Sequence, residues 1–469
     1  MRSLDGRFRY LARGILGVAL AAASATAGCS GGAGQRGPAP GPAGLRALAP
    51  VPCPGLPGFS CGTLSVALDP SGSVPGRLSL RVAMSRAPAP RGVLVLLTGG
   101  PGQPGVPFAA RLTARLGPAV RGYRLVLLDQ RGTGAGALAC PALQREMGAS
   151  DLTVPAPGAV RSCAAAIGPD RRFFATADTV ADLEALRRAL GVRRLALDGV
   201  SYGSYVAAQF ALAHPRQVSR LILDSVVPAW NADPLQLTGL RRTATVLRAV
   251  CAAQGCSTDP ARDLAAVVRR YHDGPALFDT LVTMSVGAPS FPGVPAALHA
   301  AAAGDPAALR ALMARVRAAD AAPATALSQG LHASTLCADL RMPWGGPDMP
   351  LASRRAALAR AAARLTPAQV WPFDRATAAG NGLVRTCLSW PPMPATPPAA
   401  APRSPLPRVP VLLLAGGRDL STPLPGARAQ AALAPGSRLV VFPAAGHSVQ
   451  SRAAGNPALA VVRQFLTGR

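Results

Sequence analysis

Leu195-Ala-Leu-Asp-Gly-Val-Ser-Tyr-Gly-Ser-Tyr205 holds the centre of this chain. The apolar run Leu195 to Leu197 reads as a buried strand, and Tyr205-Val-Ala-Ala-Gln-Phe-Ala-Leu-Ala213 reads as a helix. Between them lies Gly199-Val-Ser-Tyr-Gly203, so strand, Gly-x-Ser-x-Gly and helix follow one another without a gap. That succession is the setting of a nucleophile elbow, a turn tight enough to hold its serine in a strained conformation. Side chains at Gly199 or Gly203 would collide with the neighbouring strand and helix. The turn lifts the serine hydroxyl clear of the sheet, and the helix N-terminus favours negative charge beside it. With 49 glycines in the chain the pentapeptide alone carries little weight; the strand before it and the helix after it decide.

Outward from this turn, the neighbouring runs repeat the same grammar. Upstream, Gly92-Val-Leu-Val-Leu-Leu97 and Arg124-Leu-Val-Leu-Leu-Asp129 are continuous apolar runs, the pattern of strands buried on both faces. Thr63–Leu68 and Leu78–Met84 suggest an entry hairpin, and Thr179–Leu190 has apolar residues at helical spacing. Downstream, Ser219–Asp224, Val411–Ala415 and Arg438–Phe442 are further strands, with a last helix near Asn456–Leu466. Strands alternating with helices imply a mainly parallel sheet covered on both faces. Between residues 228 and 408 no buried-strand run occurs. Ala- and Arg-rich stretches at 235–253, 262–271, 306–319 and 352–365 predict helices, and the proline-dense 391–410 predicts a stiff return linker.

A serine hydroxyl needs a base within hydrogen-bond reach and a third group to orient that base. Val411–Ala415 ends in Gly416-Gly-Arg-Asp-Leu-Ser-Thr-Pro423, which puts Asp419 on the loop at the strand's carboxyl end. Arg438–Phe442 ends in Pro443-Ala-Ala-Gly-His-Ser448, which puts His447 on the next such loop. The order Ser201, Asp419, His447 is that of α/β-hydrolases and differs from those of chymotrypsin and subtilisin. His214 sits at a helix end, and His272, His299 and His332 fall in the helical stretch with no strand behind them. For the oxyanion, one donor is expected from the N–H of Tyr202. The other is expected from the glycine loop after Leu97, with Gly100 chosen and Gly99 as its rival.

Composition narrows the class of partner. The formal charge of +27 comes from 49 basic residues, all arginine and scattered, and aromatics make up 4%. Without a basic block or stacking residues a nucleic-acid partner is not expected. Residues 1–29 have the form of an export signal: Arg2, Arg7, Arg9 and Arg13 precede the apolar Ile15–Ala23. Its end, Thr26-Ala-Gly-Cys29, resembles a bacterial lipobox, so Cys29 is the expected site of lipidation and membrane attachment. A Gly/Pro/Ala-rich tether, 30–52, follows. Eight further cysteines fall into local couples, 53 with 61, 140 with 163, 251 with 256 and 337 with 387. Among 105 possible connectivities this is a pairing by proximity. There is no Cys-x-x-Cys and the five histidines are dispersed, so neither a metal nor an organic cofactor is implied.

Taken together, Thr98-Gly-Gly-Pro-Gly102, Asp129-Gln-Arg-Gly-Thr-Gly134, Gly199-Val-Ser-Tyr-Gly203, Asp419 with Thr422-Pro423, and Gly446-His447 resemble the prolyl-iminopeptidase-like serine peptidases. The branch most resembled is that of secreted actinobacterial tripeptidyl aminopeptidases and their mycobacterial lipoprotein relatives. Thr98 stands where iminopeptidases commonly carry histidine, and Gly136 where a serine is frequent. The resemblance implies an α/β-hydrolase fold with a core at 53–227 and 409–469 and a helical cap at 228–408. It implies a peptide substrate with a free N-terminus, cleaved through Ser201, His447 and Asp419. It also implies that Asp339, in the Cys337-Ala-Asp339 pattern, holds the substrate amine, with a structural acid beside a disulfide as the other reading. Asp129 and Arg131 are expected to organise the loop near the oxyanion site. An esterase or lipase acting on envelope lipids, and a catalytically silent envelope lipoprotein, are the alternative functions.

Overall fold

The apolar runs of the sequence become strands, largely buried on both faces except for the half-buried edge strand at Arg438–Phe442. The structure, a computed structural model, describes residue 48 and residues 51–230, 233–395 and 403–468. Nine strands form one sheet: β1 (Val51–Pro52), β2 (Phe59–Ala67), β3 (Arg77–Ser85), β4 (Val93–Leu97), β5 (Arg124–Leu128), β6 (Leu195–Val200), β7 (Val218–Asp224), β8 (Val411–Gly416) and β9 (Arg438–Phe442). Their order is β1-β2-β3-β5-β4-β6-β7-β8-β9. The first three strands run antiparallel to their neighbours, and β5, β4, β6, β7, β8 and β9 are mutually parallel.

Alternation along each strand sorts the side chains into two layers. Val93, Val95, Leu195, Leu197, Leu221, Leu223, Val411 and Leu413 pack towards the helices Thr176–Ala189, Tyr202–Ala213 and Leu424–Ala432. Leu94, Leu96, Ala196, Ile222, Leu412 and Leu414 pack on the other side, against Ala109–Leu116 and Ala458–Thr467. Each leucine so buried contributes about 1.5–3 kcal/mol. The order of connections places the site. After β4 the chain moves to β5 on one side and then returns to β6 on the other, so the loops leaving β4 and β6 diverge over a crevice. In open parallel sheets such crevices hold the ligand.

A third core lies outside the sheet. Between β7 and β8 the described residues form helices and one two-residue bridge, Met342 to Gly345. Phe278, Phe291, Trp344, Phe373 and Trp390 fill the interior of this helical layer. The layer also takes in Leu143, Met147 and Val160, on the helices Pro141–Met147 and Pro157–Ile167. These lie between β5 and β6, inside the 53–227 stretch that the sequence gives to the sheet. Helical spacing shows that such segments have an apolar face but not which core receives it. Four cysteine pairs are joined, Cys53–Cys61, Cys140–Cys163, Cys251–Cys256 and Cys337–Cys387. The export signal and Cys29 lie outside the described residues. Among the described residues no helix is long and apolar enough to cross a membrane.

Candidate active site

Ser201 sits between the end of β6 and the helix Tyr202–Ala213, with φ 59° and ψ −126°. A residue with a side chain adopts this backbone only where its surroundings enforce it. The flanking glycines show how close the packing is. A Cβ on Gly199 would stand 2.1 Å from the Gly203 carbonyl oxygen, and one on Gly203 would stand 2.3 Å from that of Leu97. The Ser201 N–H donates to the Asp224 carbonyl at 2.9 Å, tying the turn to β7.

The parallel register of β4 and β6 sets Leu97 beside Gly199, so the loop after β4 runs next to the elbow. Within that loop the Thr98 hydroxyl donates to the Gln103 carbonyl at 2.9 Å. A Cβ on Gly99 would lie 3.1 Å from Ser201 Cβ and 3.4 Å from its Oγ. Both Gly99 and Gly100 line the same cavity as Ser201.

Asp419 and His447 meet at the carboxyl ends of β8 and β9. His447 Nδ1 lies 2.9 Å from Asp419 Oδ2, and both residues are buried. Asp419 is held in turn by the N–H groups of Ser421 and Thr422, each 2.9 Å from Oδ1, and by the Thr422 hydroxyl, 2.7 Å from Oδ2. Burial opposes charge on His447, but the charge and hydrogen bond of Asp419, with Asp224 behind, outweigh it. The imidazole therefore titrates above its ordinary range. His447 and Ser201 line one cavity, whose walls also carry Phe108, Asp151, Val286 and Leu327.

Residues 92–453 match the family model of the alpha/beta hydrolase fold. The chain belongs to the α/β-hydrolase fold family. Among curated proteins, this hydrolase is 29% identical over 192 residues to the tripeptidyl aminopeptidase of Streptomyces coelicolor, covering 36% of this chain and 35% of that one. It is 31% identical over 259 residues to the serine protease Hip1 of Mycobacterium tuberculosis, covering 48% and 47%. It is 36% identical over 146 residues to a Streptomyces coelicolor protein named "Probable proline iminopeptidase", covering 31% and 36%. The matches thus span about a third to a half of these relatives' lengths. With this family and these relatives, the protein is a serine hydrolase of the α/β type whose relatives carry peptidase names.

Other residues of the hydrolase bind the site together from elements that sequence reasoning did not link to it. Ser285, on the helix Gly274–Gly287, accepts the His447 N–H at its carbonyl (3.0 Å) and the Leu420 N–H at its hydroxyl (3.2 Å). One helical-layer residue therefore fastens both the acid loop and the histidine loop. On the far flank of His447, Ser225 Oγ accepts from Ser448 N at 2.7 Å, and Asp224 accepts from Val449 N and Gln450 N at 3.0 and 2.8 Å. Arg131 is fully buried and forks onto both oxygens of Asp182, at 2.7 and 2.6 Å, with a further bond to the Phe173 carbonyl. Asp129 accepts the Val106 N–H at 2.8 Å. Both residues hold loops and neither lines the cavity.

Asp339, expected either to hold the substrate amine or to be a structural acid beside a disulfide, makes its contacts away from Ser201. It is not among the residues lining the cavity, and its carboxylate is taken up by the start of the helix Thr176–Ala189. Asp339 Oδ2 accepts the Thr176 N–H at 3.1 Å and the Thr176 hydroxyl, and that hydroxyl lies 2.7 Å from the Tyr202 hydroxyl. Burial is the main cause that pushes the Asp339 carboxyl up to about 7. The acid that does stand in the cavity wall is Asp151, which no sequence signal marks out.

Proposed function

We propose that this hydrolase is an exported serine aminopeptidase that releases short peptides, of the tripeptidyl type, from the N-termini of its substrates. The observation that carries the reading is the 2.9 Å contact of His447 Nδ1 with Asp419 Oδ2, beside a cavity that His447 and a strained Ser201 share. In this reading the other ring nitrogen of His447 takes the proton from Ser201 Oγ as the hydroxyl attacks the carbonyl carbon. The same proton then goes to the leaving amine, and water hydrolyses the acyl-enzyme by the reverse route. Asp419 holds the ring in the required tautomer and offsets its positive charge. The Tyr202 N–H and a backbone N–H of the Gly99–Gly100 loop receive the oxyanion; Gly100 is retained as the second donor.

The peptidase names of the relatives support an amide substrate, and the tripeptidyl aminopeptidase among them supports the product length. Export, with lipidation of Cys29, rests on the sequence of residues 1–29 and agrees with four joined cysteine pairs, which persist in oxidising compartments. The test compares a tripeptidyl anilide bearing a free amine with its acetylated twin and with a simple ester, for wild-type and Ser201→Ala proteins. Cleavage of the free-amine anilide, lowered by about 10⁴-fold or more in the variant, is the expected outcome. Ester turnover with neither anilide cut would leave a serine hydrolase and remove the peptidase.

A further inference from the structure

Asp151 and His332 form a second carboxylate–imidazole pair, which touches the loop after β4 through His332 and the cavity through Asp151. His332, on the helix Gln329–Asp339, is 2% exposed. Its Nδ1 lies 3.0 Å from the carbonyl oxygen of Pro101, the residue after Gly100. A carbonyl only accepts, so the network assigns the proton to Nδ1 and turns Nε2 towards Asp151. Nε2 is buried with no hydrogen-bond partner, 3.6 Å from Asp151 Oδ1. With the proton on Nδ1, the Nε2 lone pair faces the carboxylate of Asp151, two acceptors with no donor between them.

Two further acids stand behind Asp151. The hydroxyls of Ser150 and Thr153, on either side of Asp151, donate to Asp279 at 2.5 and 2.7 Å, and Asp320 accepts from Thr283 at 3.2 Å. Arg317 is the cation beside these acids, and it spends its donors on Thr153 Oγ1 and the Glu146 carbonyl. The arginines in the cavity wall, Arg111 and Arg452, stand with Ser448 and Ser451, where Arg111 donates to the Ser451 carbonyl at 2.7 Å. The cavity wall therefore carries both signs: arginines beside the histidine loop, and one partly exposed carboxylate beside His332.

We propose that Asp151 is a specificity-determining residue that receives a positively charged group of the substrate, and that His332 is the positioning residue behind it. Resting on the aminopeptidase reading, the positive group is the α-ammonium of the peptide. An ammonium at Asp151 relieves the opposition between the carboxylate and Nε2. Because the same imidazole holds the Pro101 carbonyl, the charge is read next to the loop that carries Gly99 and Gly100. Binding of the amine and placement of the oxyanion loop thus share one side chain.

The test uses two substrate pairs, a tripeptidyl ester and a tripeptidyl anilide, each with a free and an acetylated amine. The ester pair reads amine recognition whether or not the protein cuts amides. Wild type is expected to prefer the free-amine ester. Asp151→Asn is expected to raise KM for that ester about tenfold, with kcat little changed and the acetylated ester unaffected. Asp151→Glu should restore part of the preference. His332→Gln should lower the preference in wild type but add little to Asp151→Asn, since it acts through the same carboxylate. An ester preference absent in wild type, or unchanged by Asp151→Asn, overturns the proposal. Esters discriminated as expected while neither anilide is cut would sink the peptidase reading and leave Asp151 in place.

Discussion

His447 depends on Asp419 for two things at once, its tautomer and its charge. Burial alone would hold the ring neutral to lower pH, and the neighbouring carboxylate reverses that. A base must be unprotonated to work, so kcat/KM of the wild type is expected to fall as pH drops through a midpoint above the ordinary histidine range. In Asp419→Asn the raising cause is gone and burial remains. Turnover should drop by about 10⁴-fold, and the acid limb of the residual rate should move to lower pH. A limb that stays in place would mean that Asp419 does not set the charge of the base. At this scale the positions of Ser201, Asp419 and His447 were legible because each follows a strand of obvious apolar pattern. Ser285 was not legible. It bonds through its carbonyl and a single hydroxyl, from a helix more than 130 residues away in sequence from either loop it fastens, and such a contact leaves no mark in the chain.

Among the elements, most strands of the parallel sheet were read to within a residue, though β1 was not foreseen, β2 starts four residues early and β6 runs on to Val200, while several helices of the outer layer were missed. Gly274–Gly287 begins with Gly-Pro and ends in Gly, and Gln329–Asp339 carries His332, Ser334 and Thr335 on buried positions. Their polar groups bond to other elements, as in Thr335 Oγ1 to the Phe174 carbonyl at 2.6 Å, so the apolar stripe that betrays a helix is broken. The same helix ends in Asp339, which closes the start of the helix Thr176–Ala189. A negative charge is welcome at a helix N-terminus, yet burial, aided by Asp178, raises this carboxyl to about 7. An unfolded aspartate titrates near 3.9. The folded state therefore binds the extra proton between those values, and this group's contribution to stability is lost as pH rises from about 4 through 7. Asn at 339 can still accept from Thr176 but does not titrate. Relative to wild type, Asp339→Asn should gain Tm between pH 5 and pH 8, on the order of 2 °C, while keeping the free-amine preference. Loss of that preference would return the substrate amine to Asp339.

Across the whole molecule, three cores are joined into one machine by a few polar ties. The two sheet cores were foreseeable from strand alternation, but the assembly of the helical core from two separated stretches of chain was not, because amphipathic faces do not name their partners. Ser285 binds the histidine loop, His332 binds the loop after β4, and Asp339 binds the helix behind Tyr202. Each tie runs from the helical layer to the sheet or to a helix packed on it, so the layer supports the loops around the shared cavity. Cys337–Cys387 closes a loop of 50 residues inside that layer and fixes the helix that carries two of the three ties. Constraining a loop of this length is worth about 4 kcal/mol in chain entropy, and measured values are commonly 2–4 kcal/mol. The double variant Cys337→Ala, Cys387→Ala should therefore unfold at lower temperature. Since the ties make layer and sheet interdependent, ester turnover and the near-UV dichroism should be lost together in one transition. If turnover instead survived after the aromatic signal of the layer had melted, the sheet would hold its triad unaided, and the bond from His447 N–H to Ser285 would be incidental to catalysis.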